Sequence, residues 1–363
     1  MTAPQFSLAT PELDLSAIRC AVDTCLERFL ECKAHAAARQ GMPPEVAATL
    51  HDFVFAGGKR LRPLLCVCGW YAAGGSGKPD AVVQAAAALE MFHAFALIHD
   101  DLMDHSDTRR GSPTVHRSLA EHHRPAWGRA AAERLGASGA ILVGDLALAW
   151  SDELLHTASL PPGRLAAVLP IIDTMRSEVM YGQYLDLLAT GRPSGDVTIP
   201  MRIIRYKTAK YTVERPLHVG AAIAGAGSGT LDTLSAYALP LGEAFQMRDD
   251  LLGVYGDPVQ TGKSCLEDLR EGKHTVLLAL ALQRADPAQR TALHAVIGDP
   301  LLGEDAVTRM RDLITATSAH AAVEDMIRAR REQAGQALRT APLAPAAARS
   351  LQQIADTATV RTA

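Results

Sequence analysis

The chemistry-bearing residues of this chain gather at the ends of two long apolar segments. The first segment reads LEMFHAFALI and runs into His99-Asp100-Asp101-Leu102-Met103-Asp104, with Asp107, Arg109, Arg110 and Gly111 close behind. Asp100 and Asp104 stand four residues apart, so on a helix they share a face, with Asp101 beside them. Like charges at that spacing repel, and at a helix C-terminus they also oppose the macrodipole. A bound divalent cation removes both penalties. Oxygen-only carboxylate ligands suit Mg2+, which keeps several waters and takes substrate phosphate oxygens. The plain alternative is a solvated acidic helix end, and three acids followed by two arginines make it the weaker reading. The second segment ends in Phe245-Gln246-Met247-Arg248-Asp249-Asp250-Leu251-Leu252-Gly253, with Asp257 and Lys263 in the polar stretch beyond. Alone, this pair reads equally well as an exposed helix face. As a second copy of one architecture it becomes a partner wall, and two facing walls can hold a cluster of Mg2+ ions on one diphosphate.

Cations stand beside these carboxylates. Gly57-Gly58-Lys59-Arg60-Leu61-Arg62-Pro63 puts three positive side chains directly after two glycines that let the backbone approach a ligand. Further cations lie at Arg109-Arg110, Lys207-Thr208-Ala209-Lys210 and Lys273. A helix cap followed by solvated charges explains any one of these clusters. Anionic phosphates explain all of them together.

These groups need elements that hold them in place. The 363 residues are 48% hydrophobic and only 5% aromatic, rich in Ala and Leu, and 36 basic against 40 acidic residues leave a net charge of -4. That balance excludes a disordered chain and a nucleic-acid binder working by bulk positive charge. Residues 1 to 14 read as a loose arm with no export signal, and residues 15 to 363 as a single all-helical domain. Helical spacing predicts elements over Leu15 to Arg39, Met42 to Gly57, Leu61 to Tyr71, Ala81 to Asp104, Ala140 to Ala158 and Leu165 to Ala189. Further helices are predicted over Ile199 to Ala222, with a kink or break at Pro216, over Leu231 to Tyr255 and over His274 to Ala285, with shorter Ala-rich ones after that. His105 to about Arg129 and Gly256 to Gly272 read as polar loops. No apolar run approaches the roughly 20 residues of a membrane span. The six cysteines suit a reducing cytoplasm, with Cys66 and Cys68 as core filler. Gly225 to Gly229 lacks a preceding strand and a phosphate-loop lysine, so it reads as a turn between helices. The fold class is therefore all-α, a large single-domain helical bundle.

In combination and in this order, the motifs GGKRLRP, HDDLMDHSDTRRGSPTVH, GQYLDL, KTAKYT, FQMRDD and GKH resemble the trans-isoprenyl diphosphate synthase family. These are head-to-tail prenyltransferases, which include geranylgeranyl and farnesyl diphosphate synthases. The likeness runs from about Gly57 to Lys273. It implies the isoprenoid synthase fold with a central apolar tunnel, a homodimer, and three Mg2+ ions bound with the diphosphate. Carried over by residue, it implies that Asp100, Asp104 and Asp249 hold the metal, supported by Asp101 and Asp250. It further implies that Arg109, Lys207 and Lys263 contact the allylic diphosphate. Lys59, Arg62, His93 and Arg110 would bind isopentenyl diphosphate, with Lys273 nearby. Thr208 and Gln246 would line the reacting centre, and Gln183 and Asp186 match a motif whose role stays open. One position departs from the family: the second aspartate motif is often DDxxD, and its third acidic position is Gly253 here.

The tail of the growing product must run between helices beneath the aspartates. Ala96 lies one turn, about 6 Å, below Asp100, and Phe92 about 12 Å below. In the family, bulky residues four and five positions before the first aspartate stop growth early. Here only the fifth, Phe95, is aromatic, a pattern resembling geranylgeranyl-forming members, so a twenty-carbon product is expected. Farnesyl or longer products are the alternatives. A class I terpene cyclase would need an Asn/Asp, Ser/Thr, Glu metal motif near Asp249, where Leu, Leu and Gly follow Asp250. A non-catalytic prenyltransferase subunit would typically have lost an aspartate motif.

Overall fold

The computed structural model describes residues 13–256, 270–299 and 302–359. Asp14 opens the first helix, its Oδ1 accepting from the N–H groups of Ser16 and Ala17 at 3.0 and 2.9 Å. Most of the arm expected over residues 1 to 14 lies outside the described residues. The N-terminal half comprises α1 (Leu15–Arg39), α2 (Pro44–Phe55), α3 (Leu61–Ala72), α4 (Asp80–Met103), α5 (Val115–Trp127), α6 (Arg129–His156) and α7 (Pro162–Ala189). Then come α8 (Thr198–Ile203), a π-helical segment (Ile204–Glu214), α9 (Arg215–Ala224) and α10 (Ser228–Tyr255). Five helices finish the described chain: α11 (Val276–Arg284), α12 (Pro287–His294), α13 (Glu304–Ala316), α14 (Ala319–Thr340) and α15 (Pro345–Thr359). The only strands among the described residues are β1 (Thr108–Arg109) and β2 (Ser112–Pro113), two antiparallel residues each. The fold is all-α and a single domain, as the composition and spacing imply.

Helix α4 is the axis of the bundle. It is apolar on most sides and buried from Val82 to Ile98 against α1, α3 and α6, as a helix without a polar face must be. Its length and mean hydropathy of 1.7 would suffice to cross a membrane, contrary to the expectation that no run of this chain does so. Within the bundle, 72% of that apolar window is buried against other helices, so its hydrophobicity is used up internally. On its lower half His93, Ala96, Leu97 and Asp100 are left partly open. Cys66 and Cys68 are fully buried on α3 with free thiols, and burial pushes the Cys68 thiol up to about 12. Both are core filler.

Two predicted elements come out differently. The stretch from His105 to Arg129 is not one polar loop: after the β1–β2 hairpin it forms α5. Val115, His116, Leu119 and Ala120 bury one face of α5 against α6, and the charged residues that read as loop cover the other. The predicted helix from Ile199 to Ala222 is split into α8, the π-helical segment and α9. Pro216 lies in the first turn of α9, where it has no N–H to give, and Arg215 N–H bonds to the Lys210 carbonyl five residues back. That wider turn adds a residue to the helix without breaking it. Gly225, in the left-handed region at φ 94°, caps α9 as the expected turn.

Candidate active site

The π-helical segment is the hinge of the site, because it lies between α7 and α10 and touches both closely. Gly182 on α7 and Gly242 on α10 make this possible. A Cβ at Gly182 would come 2.5 Å from the Lys207 nitrogen, and one at Gly242 would come 2.4 Å from the Ala209 Cα. With no side chains in the way, the segment presents Lys207 to one neighbour and Thr208 to the other.

Lys207 Nζ donates to Asp186 Oδ2 at 2.7 Å and to Asp100 Oδ1 at 3.1 Å. Thr208 Oγ1 donates to Gln246 Oε1 at 2.8 Å, and Gln246 Nε2 donates to Asp250 Oδ1 at 2.8 Å. One residue step thus joins the aspartate end of α4 to the aspartate end of α10. Asp249 is half-buried beside Asp250. Lys273 Nζ pairs with Asp104 of the acidic wall at 3.1 Å and with Glu271 at 2.9 Å. Asp101 is 1% exposed and turned away from its neighbours: Arg109 Nε donates to both its oxygens, at 2.7 and 2.8 Å. Arg109 also reaches Asp100 at 3.4 Å. Lys263 lies outside the described residues.

The electrostatics follow from this packing. Burial by itself would raise the Asp100 carboxyl, but Lys207, Lys273 and Arg109 outweigh it and hold the group down to about 2. Asp104 goes the other way: burial and the neighbouring Asp100 charge raise it above its ordinary value of 3.8 despite Lys273. Burial works against the Lys207 charge, yet Asp100 and Asp186 keep its ammonium more firmly protonated than usual. Among the described residues of this cleft, the carboxylates of Asp100, Asp104, Asp186, Asp249 and Asp250 outnumber the cations of Arg109, Lys207 and Lys273.

A second, positive group gathers around His93, two turns before Asp100 on the same face of α4. Arg62 Nη2 donates to Thr212 Oγ1 at 2.6 Å, and its guanidinium lies over the Tyr211 ring at 4.3 Å. Tyr211 Oη and His93 Nδ1 are 3.1 Å apart. Burial pushes the Tyr211 phenol up to about 12. Burial, with Arg62, Arg110, Arg109 and Arg60 around it, holds His93 well below 6.5, so the imidazole is neutral. The tautomer of the neutral imidazole sets which of the two groups donates in that hydrogen bond. Arg62 Nε is buried and has no hydrogen-bond acceptor among the described residues. Arg110 donates to the Gly57 carbonyl, and its guanidinium lies where a Cβ on Gly58 would come within 3.1 Å. Gly57 and Gly58 adopt φ of 103° and 138°, open only to glycine without strain. Lys59 is exposed. Arg60, the middle cation of the motif, is structural: it is 5% exposed and bonds Asp23, Glu90 and the Val54 carbonyl.

Sequence reasoning did not single out Tyr211 or Thr212, although both lie in the KTAKYT run that it quoted. The missing signal was the π-turn, which rotates them toward Arg62 and His93. Below the aspartates, Phe92 is 1% exposed and touches three elements: Phe95 on α4 at 5.2 Å between centroids, Tyr211 at 5.8 Å, and Arg176 of α7 at 5.4 Å. Phe95 leans instead on His99 at 4.8 Å, which faces α6 through the Ile141 carbonyl. Ala96 is half-exposed on the cleft face. Gln183 Nε2 is buried with no acceptor among the described residues.

Residues 43–314 match the polyprenyl synthetase family. The chain is 33% identical over 306 residues to geranylfarnesyl diphosphate synthase of Aeropyrum pernix, covering 84% of this chain and 90% of that protein. It is 33% identical over 270 residues to geranylgeranyl diphosphate synthase of Saccharolobus solfataricus, covering 74% and 75%. Among solved structures, geranylgeranyl pyrophosphate synthase from Corynebacterium glutamicum, complexed with isoprenyl diphosphate and magnesium, superposes with a TM-score of 0.91 at 40% identity. That alignment covers 96% of this chain and 100% of the other. With the motifs in order, the helical bundle and the paired aspartate walls, the chain belongs to the polyprenyl synthetase family and is a trans-prenyltransferase.

Proposed function

We propose that the chain condenses isopentenyl diphosphate with an allylic diphosphate and makes geranylgeranyl diphosphate, as a Mg2+-dependent homodimer in the cytoplasm. The observation that carries this reading is the bridge from Asp100 through Lys207 and Thr208 to Gln246 and Asp250, with a separate arginine group at Arg62 and Arg110. It gives one site that takes cations and a diphosphate, and a second that takes a diphosphate without metal.

The donor set fits Mg2+: carboxylate oxygens only, in excess over the cations among the described residues, with Asp100 kept ionised. Asp100, Asp104 and Asp249 would hold it, as three ions on the bound diphosphate. When bound, Mg2+ supplies positive charge to the oxygens of the leaving diphosphate. Lys207 and Arg109 add their own charge to that leaving group, and Lys263 joins them in the proposal. Lys273, paired with Asp104, is assigned to the same side. Lys59, Arg62, Arg110 and His93 would bind isopentenyl diphosphate. The uncommitted Arg62 Nε is a donor that an anion completes, and the neutral imidazole of His93 lies close to that guanidinium.

Ionisation leaves an allylic carbocation, the double bond of isopentenyl diphosphate attacks it, and a proton is lost from the adjoining carbon to the departed diphosphate. The Thr208 hydroxyl and Gln246 amide stabilise the cation with their oxygen dipoles, held in place by their mutual hydrogen bond. Each turn of the cycle adds five carbons. The tail passes Ala96 and descends an apolar tunnel toward Phe92, where α4, α7 and the π-helical segment converge. Phe92 is therefore the main floor, and Phe95 a secondary one toward α6.

Relatives of similar identity make twenty- and twenty-five-carbon products by name, so the floor residues rather than overall likeness carry the choice of length. A homodimer is supported by an exposed apolar face on α6 and α7, with Leu142 67%, Tyr181 72%, Tyr184 60% and Leu188 50% exposed. Light scattering of the purified chain tests it. The activity is tested with each allylic primer, with and without isopentenyl diphosphate. Turnover of the primer alone would favour a cyclase and overturn the reading.

A further inference from the structure

The bundle carries a second constellation of metal-binding side chains, away from the aspartate walls. Glu45 lies in the first turn of α2, and His122 and His123 lie on α5. Each offers one ligand atom, and these atoms all lie within 4.8 Å of one another. His123 Nε2 is 3.8 Å from Glu45 Oε1, and the two imidazoles meet edge to face with centroids 4.8 Å apart. His122 is exposed and the other two are half-buried, so an ion can enter from solvent.

We propose that Glu45, His122 and His123 form a transition-metal site of the Zn2+ class, separate from the Mg2+ site. The chemistry of the donors separates the two. Mg2+ takes oxygens and avoids imidazole, whereas two imidazoles and one carboxylate with an open fourth position are a Zn2+ ligand set. The geometry needs little adjustment. Zn–N and Zn–O bonds of about 2.0–2.1 Å in a tetrahedron put donors about 3.4 Å apart. The His123–Glu45 pair is within half an ångström of that at 3.8 Å, and the exposed His122 closes the remainder by rotating its side chain.

The position of the site gives it a consequence. Helix α2 runs directly into the Gly57 to Arg62 segment, and α5 follows directly on the hairpin that carries Arg109 and Arg110. Those two segments already touch where Arg110 donates to the Gly57 carbonyl. An ion held between α2 and α5 clips together the two elements that present the metal-independent diphosphate cations. The site therefore couples a soft divalent cation to the order of the isopentenyl diphosphate pocket.

Trp127 provides a reporter that does not depend on activity. It is 57% exposed at the end of α5, with its ring 6.3 Å from that of His123. The full-length protein, saturated with Mg2+ to fill the aspartate site, is titrated with Co2+ while tryptophan fluorescence is followed, then with Zn2+ by calorimetry. The expected result is quenching by Co2+, reversal by Zn2+, and one Zn2+ bound per chain with micromolar affinity. H122A/H123A should lose both signals while keeping Mg2+-dependent activity within twofold, and Glu45→Gln should weaken binding at least tenfold. Undiminished quenching and Zn2+ binding in H122A/H123A would overturn the proposal. So would a wild-type protein that binds no Zn2+ below millimolar concentration, which would leave Glu45 and His123 as an ion pair between helices.

Discussion

The sharpest perturbation of this site is a single methyl group. Gly182 has no catalytic atom, yet a Cβ there would stand 2.5 Å from the Lys207 nitrogen and 2.8 Å from its Cα. Ordinary contact starts at 3.4 Å, so in Gly182→Ala the π-helical segment must retreat from α7 by about 0.9 Å. Both colliding atoms are backbone, and no side-chain rotation relieves them. Lys207 would be carried off Asp186, now at 2.7 Å, and Thr208 off Gln246, now at 2.8 Å. Overpacking of this kind costs about 1–3 kcal/mol of stability, which leaves the protein folded. A misplacement of about 1 Å at a reacting centre costs on the order of 100-fold in rate. Gly182→Ala should therefore keep its helical circular dichroism, melt a few degrees lower, and lose 10- to 100-fold in kcat in a radiolabelled isopentenyl diphosphate assay. The control is Gly163→Ala in the first turn of the same helix, where an added Cβ meets nothing within 4 Å. That variant should be fully active and marginally stabilised, because Ala is the better helix former. A Gly182→Ala enzyme within twofold of wild type would refute the claim that close packing on the π-helical segment positions Lys207 and Thr208.

Other outcomes follow from single groups. Phe92→Leu should shift the product toward longer chains, and Phe95→Ala should do so less; an unchanged chromatographic profile for both would remove them as the floor. His93 has a folded value well below 6.5, so below pH 6.5 the unfolded chain gains a proton that the native one refuses. Stability must fall as pH drops through that window, and His93→Gln should flatten the slope of denaturant-derived stability by up to about 1.4 kcal/mol per pH unit. His116 and His218 are also held below 6.5 and keep part of the slope in that variant. Arg60→Met should cost about 3–5 kcal/mol, because it leaves Glu90 buried and unpaired, while exposed Lys59→Ala should leave the melt unchanged and raise KM for isopentenyl diphosphate.

Much of this site is legible in the sequence because its parts are local. Four-residue spacing placed Asp100 and Asp104 on one face, and the apolar runs before each aspartate pair placed both pairs at helix ends. The misreadings arose where long-range packing decided the matter. Helix α5 carries only Val115, Leu119 and a few partners as its apolar face, and Pro125 and its many charges resemble a loop until α6 supplies the surface they cover. The π-helical segment leaves no periodicity of its own over eleven residues. Pro216 marked its end, but only the approach of α7 and α10 at Gly182 and Gly242 shows why the turn widens. The three cations of GGKRLRP look alike in one dimension. Burial divides them: Arg60 holds α1 and α4 together, whereas Lys59 stays exposed and Arg62 keeps a donor uncommitted. Phe92 and Phe95 differ for the same reason, one pointing to the centre of the bundle and the other to its flank.

The central claim is that two charged groups along one face of α4, at Asp100 and around His93, bring an allylic diphosphate and isopentenyl diphosphate together over one tunnel. The most direct measurement is the product formed by the purified chain from farnesyl diphosphate and isopentenyl diphosphate, with Mg2+ and with EDTA. The account predicts geranylgeranyl diphosphate, formed only when both substrates and Mg2+ are present. A hydrocarbon product formed without isopentenyl diphosphate, or no condensation by the purified chain, would contradict it.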